Sequence, residues 1–132
     1  MSTNELPQDC RFTKDHEWAR AEGDELVIGI TRFAVDQLGD ITLVSIDARV
    51  GGRIEEGKPF GTIESVNTLS DLYAPISGVV TRVNKALDDQ PELVNDDCYA
   101  GAWMIAIRPD DAANPGHLLD LATYQAHCDA QH

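Results

Sequence analysis

The chain nowhere offers the roughly 18 consecutive apolar residues needed to span a bilayer. Met1 to Asp9 holds no basic stretch followed by an apolar run, so neither a membrane segment nor a secretory leader is expected. Cysteine is sparse as well. Cys10, Cys98 and Cys128 stand far apart with no Cys-x-x-Cys pair, an odd count that argues against a disulfide framework and for a reducing compartment. The expected location is the cytoplasm. Positive charge is in short supply: 10 Lys and Arg against 23 Asp and Glu give a net charge of −13. Such a balance disfavours nucleic acid and anionic membrane as partners, and suits solubility or docking against basic protein surfaces. No phosphate-cradling glycine loop, metal-ligand cluster or activated nucleophile is legible. No sequence-neighbouring base makes a convincing partner for any of the cysteines, so a redox or nucleophilic role is not expected.

What is present is the patterning of one small domain. At 132 residues, 42% hydrophobic and 25% charged, the chain is long enough to bury a core without disulfide staples. Residues 1–10 read as a flexible tail and residues 11–132 as a single domain. Lys14 to Arg20 alternates as a strand, turns at Glu22-Gly23-Asp24 and returns through the β-branched run Glu25 to Ile30. Thr31 offers an N-cap to a short helix with Phe33, Ala34, Gln37 and Leu38 at helical spacing, ended by Gly39. Further strands are expected at Ile41 to Ile46, Val79 to Val83 and Ala102 to Ile107, with one helical turn at Asn84 to Leu87 and a loop at Gln90 to Asn95. Pro115 precedes a C-terminal helix whose apolar stripe is read as Leu118, Leu119, Leu121, Ala122 and Ala126. About seven short strands with few helices exclude a doubly wound parallel sheet and predict an antiparallel sandwich or flattened barrel.

The stretch around which the rest is organised runs from Phe60 to Gly78. Phe60 to Ser65 and Leu69 to Ala74 read as two strands of a hairpin, bracketed by Gly61 and Gly78 and ended by Pro75. Asn67 falls at the tip, where a residue that tolerates positive φ and bonds its own backbone is favoured. Here the sequence Glu64-Ser65-Val66, then Ser70-Asp71-Leu72-Tyr73-Ala74-Pro75, resembles the lipoyl hairpin of the glycine cleavage system H protein family. The resemblance extends to His16-Glu17-Trp18, Gly29-Ile30-Thr31, Leu38-Gly39-Asp40, Asn84, Pro91-Glu92-Leu93-Val94-Asn95, Trp103, Leu118, Leu119 and Tyr124. It covers nearly the whole chain. Biotin carriers and acyltransferase lipoyl domains share the hairpin, but they are shorter and lack the His-Glu-Trp and Pro-Glu-Leu motifs.

The resemblance implies a mainly β barrel-sandwich hybrid with a short internal helix, a C-terminal helix and an exposed hairpin. It implies a carrier rather than an enzyme, one that passes an aminomethyl group from glycine decarboxylase to aminomethyltransferase. Dihydrolipoamide dehydrogenase then reoxidises it, and lipoylating enzymes act on its hairpin. Glu64, Ser65, Val66 and Asp71 would serve in lipoylation and partner recognition. The family's lipoyl lysine, however, is replaced by Asn67. A carboxamide has no basic lone pair and a short reach, so lipoate is expected to be absent here. The three lysines, Lys14, Lys58 and Lys85, lie away from the tip. The chain is therefore expected to be an unlipoylated variant or paralog, whether altered at this position or naturally drifted, or alternatively a scaffold that kept the docking surface. An enzyme built on His16 and Glu17 is disfavoured, because consecutive strand residues face opposite ways.

Overall fold

The computed structural model describes residues 6–110 and 118–130. Two antiparallel sheets carry the fold. The larger has the order β1 (Cys10–Phe12), β2 (Glu17–Glu22), β3 (Glu25–Ile30), β9 (Ile105–Pro109), β8 (Gly78–Val83) and β5 (Arg53–Ile54). The smaller holds β4 (Ile41–Ile46), β6 (Pro59–Ser65) and β7 (Leu69–Tyr73). This is the expected mainly β barrel-sandwich architecture, with the sheets not closed into one barrel.

Periodicity explains which strands sit where. Leu26-Val27-Ile28 and Ile105-Ala106-Ile107 are continuous apolar runs, and they are central neighbours in register, with Val27 opposite Ala106. Such runs belong to strands covered on both faces. Ile28, Ile105 and Ile107 point into the core between the sheets, with Val44, Ile63, Leu72 and Val80. Val27 and Ala106 point the other way, into a second core with Phe12, Trp18, Phe33, Tyr124 and Cys128. Strand β2 is shared in the same manner, Trp18 going to the second core and Ala19 to the first.

Helix α1 (Arg32–Leu38) starts and stops where the sequence says. The Thr31 hydroxyl accepts from the Ala34 amide, and Gly39 closes the end at φ 87°. Its buried side chains are Phe33, in the second core, and Val35, in the first; Gln37 is exposed, because the helix buries these two positions rather than a stripe at 33, 34, 37 and 38. Two other expectations shift. The last strand starts at Ile105 rather than Ala102, because the Asn84 carboxamide donates to the carbonyls of Gly101 and Trp103 (3.0 and 2.7 Å), taking the acceptors a neighbouring strand would use. Trp103 is accordingly half-buried, packed against the second core with the Arg82 guanidinium 5.0 Å over its ring. The expected loop at Gln90 to Asn95 contains a helical turn, α3 (Leu93–Asp96), which drives Val94 into the core; the one expected at Asn84 to Leu87 is α2 (Ala86–Asp89).

At the termini, Leu6 and Cys10 are buried in the second core and β1 begins at Cys10, so the tail read over 1–10 is anchored at these two residues, with Gln8 and Asp9 between them exposed; residues 1–5 lie outside the described residues. So does Pro115. Helix α4 (Leu121–Ala130) buries Tyr124 and Cys128, one turn apart, whereas Ala122 and Ala126 face out. The stripe differs because Tyr124 stacks on Phe12, centroids 4.7 Å apart, and its hydroxyl meets His16 Nδ1 at 2.8 Å and Thr31 Oγ1 at 2.7 Å. A tyrosine whose polar end is satisfied is a full core residue.

Candidate functional site

Strands β6 and β7 pair in register with Glu64 opposite Leu69 and Thr62 opposite Asp71. Alternation puts these four on the outer face of the small sheet and sends Ile63, Ser65 and Leu72 inward. The tip is shaped from inside by Ser65. Its Oγ accepts from the amides of Asn67 (3.1 Å) and Thr68 (3.2 Å), while its own amide donates to the Thr68 carbonyl at 2.8 Å. Ser65 is thus a buried turn-former rather than a surface contact. Val66 and Leu69 are exposed at 66% and 65%, and Leu43 on β4 lies beside Glu64 in the same cross-strand row at 47%. The end of the hairpin is therefore an apolar surface bordered by the carboxylates of Glu64 and Asp71, both exposed.

Asn67 does not adopt the conformation expected of it. Among the described non-glycine residues only His16 has positive φ, at 69°. Nor does Asn67 bond its own backbone through its side chain: Nδ2 donates to the Leu38 carbonyl at the end of α1, at 3.1 Å. Ser65 already holds the turn, so the carboxamide is released for a contact elsewhere in the chain.

A cleft of about 330 Å³ runs beside β7, between the hairpin, α1 and the turn before β2, with Asp15, Glu17, Leu38, Leu69 and Asp71 among its lining. Glu17 is the residue whose importance the sequence hides. It is 2% exposed, its Oε1 accepts from the Thr13 hydroxyl at 3.0 Å, and its Oε2 accepts from the Tyr73 amide at the base of β7 at 3.0 Å. Burial pushes its carboxyl up to about 8, against those two hydrogen bonds, which favour the anion; the Asp15 charge adds to the rise. His16 lies in the turn before β2 rather than on the strand, so the argument from strand alternation does not apply to it. The conclusion stands for a different reason: His16 engages Tyr124 while Glu17 engages Thr13 and Tyr73, and the two share no proton.

The three cysteines are all buried thiols. Burial pushes Cys10 up to about 12 and Cys98 up to about 11, and raises Cys128 as well. Thiols held neutral in this way are poor nucleophiles. Among the described residues no group of His, Cys, Asp and Glu is arranged to hold a metal ion, and no helix is long and apolar enough to cross a membrane.

A sequence profile described as "Glycine cleavage H-protein" matches residues 10–131. The chain belongs to the glycine cleavage H-protein family. It is 50% identical over 119 residues to the glycine cleavage system H proteins of Bacillus cereus (strain AH820) and Bacillus anthracis (strain A0248), in each case covering 90% of this chain and 93% of the relative. The fold is similar to that of the crystal structure of a glycine cleavage system H protein from Mycobacterium marinum. There the TM-score is 0.82 at 35% identity, covering 95% of this chain and 99% of that one. H proteins are lipoyl carriers, not enzymes, and lipoate is the family's prosthetic group.

No amine stands at the hairpin tip, the attachment site that the resemblance implies. Attachment needs a nucleophilic amine, and the tip carries a carboxamide whose nitrogen lone pair is delocalised and whose N–H is already engaged. Lys14 lies in the turn before β2, Lys58 at the far end of the hairpin beside Pro59, and Lys85 immediately before α2. None stands near Asn67 along the hairpin.

Proposed function

We propose that this chain is an H protein that does not carry lipoate: Asn67 stands where the family has its lipoyl lysine. The observation that carries the reading is the hairpin tip itself, turned by Ser65 in full hydrogen-bonded order yet bearing a carboxamide instead of an amine. Glu64, Val66 and Asp71 remain exposed around it, as residues read by a lipoylating or partner enzyme would be. The family works with glycine decarboxylase, aminomethyltransferase and dihydrolipoamide dehydrogenase. A chain that keeps the hairpin but not the amine retains what those enzymes touch and loses what they exchange.

Intact mass spectrometry tests this. The native protein is expected at its unmodified mass, and Asn67→Lys co-produced with a lipoylating enzyme is expected to gain one lipoyl group. A lipoyl adduct on the native chain would overturn the reading and direct attention to Lys14, Lys58 and Lys85.

A second reading, a scaffold that docks without carrying, is favoured by the apolar surface of Leu43, Val66 and Leu69 between acidic neighbours. Unmodified native protein should then bind glycine decarboxylase with an affinity within about tenfold of the unmodified Asn67→Lys form, one lost hydrogen bond amounting to roughly that or less. Calorimetry detecting binding only for the lysine form would leave the native chain without a scaffold role.

A further inference from the structure

A helix leaves its last carbonyls without intrahelical donors, and their partial negative charge attracts cations or N–H groups. Helix α1 has no basic residue in its last turn. Three successive carbonyls at its exit are nevertheless met by other segments of the chain. Leu38 O accepts from Asn67 Nδ2 at 3.1 Å, Gly39 O from Asn95 Nδ2 at 3.0 Å, and Asp40 O from the Val66 amide at 3.0 Å. Asn95 Oδ1 in turn accepts from the Ile41 amide at 2.9 Å. Two asparagines, one on the hairpin and one on α3, thus clamp the same four-residue exit from opposite sides.

Gly39 is fitted to this arrangement twice over. Its φ of 87° ends the helix, and a Cβ built on it would lie 2.8 Å from Asn67 Nδ2. The space for the Asn67 carboxamide exists because position 39 has no side chain.

We propose that Asn67 is a positioning residue that caps the C-terminal end of α1 and so latches the hairpin tip onto the body of the domain. The carboxamide holds the tip inward on the α1 side and leaves Val66 and Leu69 presented outward. One position cannot serve both as cap and as an extended arm, so Asn67 substitutes a fixed tip for a mobile one. This goes beyond the proposed lack of lipoate: that reading concerns what the tip cannot attach, and the latch would stand even if the chain were modified at another lysine.

The test is backbone amide hydrogen exchange by NMR on the full chain, comparing native protein with Asn67→Ala and the near-isosteric Asn67→Asp. Asn67 is exposed, so both variants are expected to fold. If the Nδ2 donor is the latch, the Val66 amide should exchange about fivefold faster in the alanine variant, the factor expected for one net hydrogen bond. It should exchange at least as fast in the aspartate variant, which keeps the shape but places an acceptor against a carbonyl. The Leu38 carbonyl carbon resonance should move in both, with amides in the middle of β6 unchanged. Val66 exchange within twofold of native in both variants would overturn the latch, as would native-like exchange in the aspartate variant alone, since shape rather than the donor would then hold the tip.

Discussion

Replacing Glu17 by glutamine is expected to make the protein more stable above neutral pH and to flatten its pH dependence. The carboxyl is moved from an ordinary 4.5 up to about 8 by burial, so the folded state holds its proton more tightly than the unfolded chain does. Its favourable contribution is complete below about pH 4.5, where both states are protonated, and is lost as pH rises through about 8. At 1.36 kcal/mol per pKa unit, the native protein should lose on the order of 5 kcal/mol relative to the variant over that window. Glutamine imitates the protonated acid. Its carbonyl can accept from the Tyr73 amide and its NH₂ can donate to the Thr13 hydroxyl, so no buried group is orphaned. Urea unfolding of both proteins at pH 5, 7 and 9 isolates the residue, because every other titrating group is common to the pair. Parallel stability curves would show that the carboxylate is solvated in a way its 2% exposure does not suggest.

Trp18→Ala should cost about 3–5 kcal/mol, the range for removing a large aromatic side chain from a packed core. Trp18 is 0% exposed, its indole N–H donates to the Cys98 carbonyl at 3.0 Å, and the Arg20 guanidinium sits 4.9 Å from its ring centroid. Since small domains are stable by only about 5–15 kcal/mol, a fifth or more of the total is at stake. Gly29→Ala should strike the same place from the opposite side. A Cβ at Gly29 would lie 2.6 Å from the Trp18 ring, so the ring must shift, at about 1–3 kcal/mol. The two substitutions are therefore coupled: with the indole gone, the added methyl has room. The double variant should be more stable than the sum of the single losses allows, by more than about 1 kcal/mol. Additivity within about 0.5 kcal/mol in a denaturant cycle would mean that Gly29 is required for its backbone and not for the ring above it.

Much of the fold was readable because local signals and tertiary packing agree. The β-branched run of β3, the Thr31 and Gly39 caps and the Phe60 to Gly78 hairpin each carry their own chemistry, and each falls where expected. The misreadings at β9, α4 and the hairpin tip share one cause, a side chain from a distant segment taking a hydrogen bond that local pattern assigns elsewhere. Asn84 captures the carbonyls of Gly101 and Trp103 and so delays β9. Tyr124 finds His16 and Thr31 more than ninety residues away and turns α4 onto a face that its alanines do not mark. At the hairpin, Ser65 was legible as part of a motif but not as the inward-facing former of the turn, and Asn67 was legible as a missing lysine but not as a partner of Leu38. Glu17 was the least visible, because a carboxylate's burial depends on what covers it, and its cover comes from Thr13 and from Tyr73 on another sheet.

The pairing of β1 with the segment before α4 bears on how the molecule assembles. Phe12 and Leu119 exchange two backbone hydrogen bonds, of 2.8 and 2.6 Å, and Phe12 stacks on Tyr124. These contacts join residues more than a hundred positions apart, so the second core gains its lid only after one of the longest loop closures the chain can make. Topology of this kind places the closing step late, after the local hairpins have formed. Until then Phe12, Trp18 and the Cys10 thiol would lie uncovered along one side of a nearly finished sheet. The vulnerable species in refolding is thus a sandwich with its back open, and its exposure ends when α4 docks.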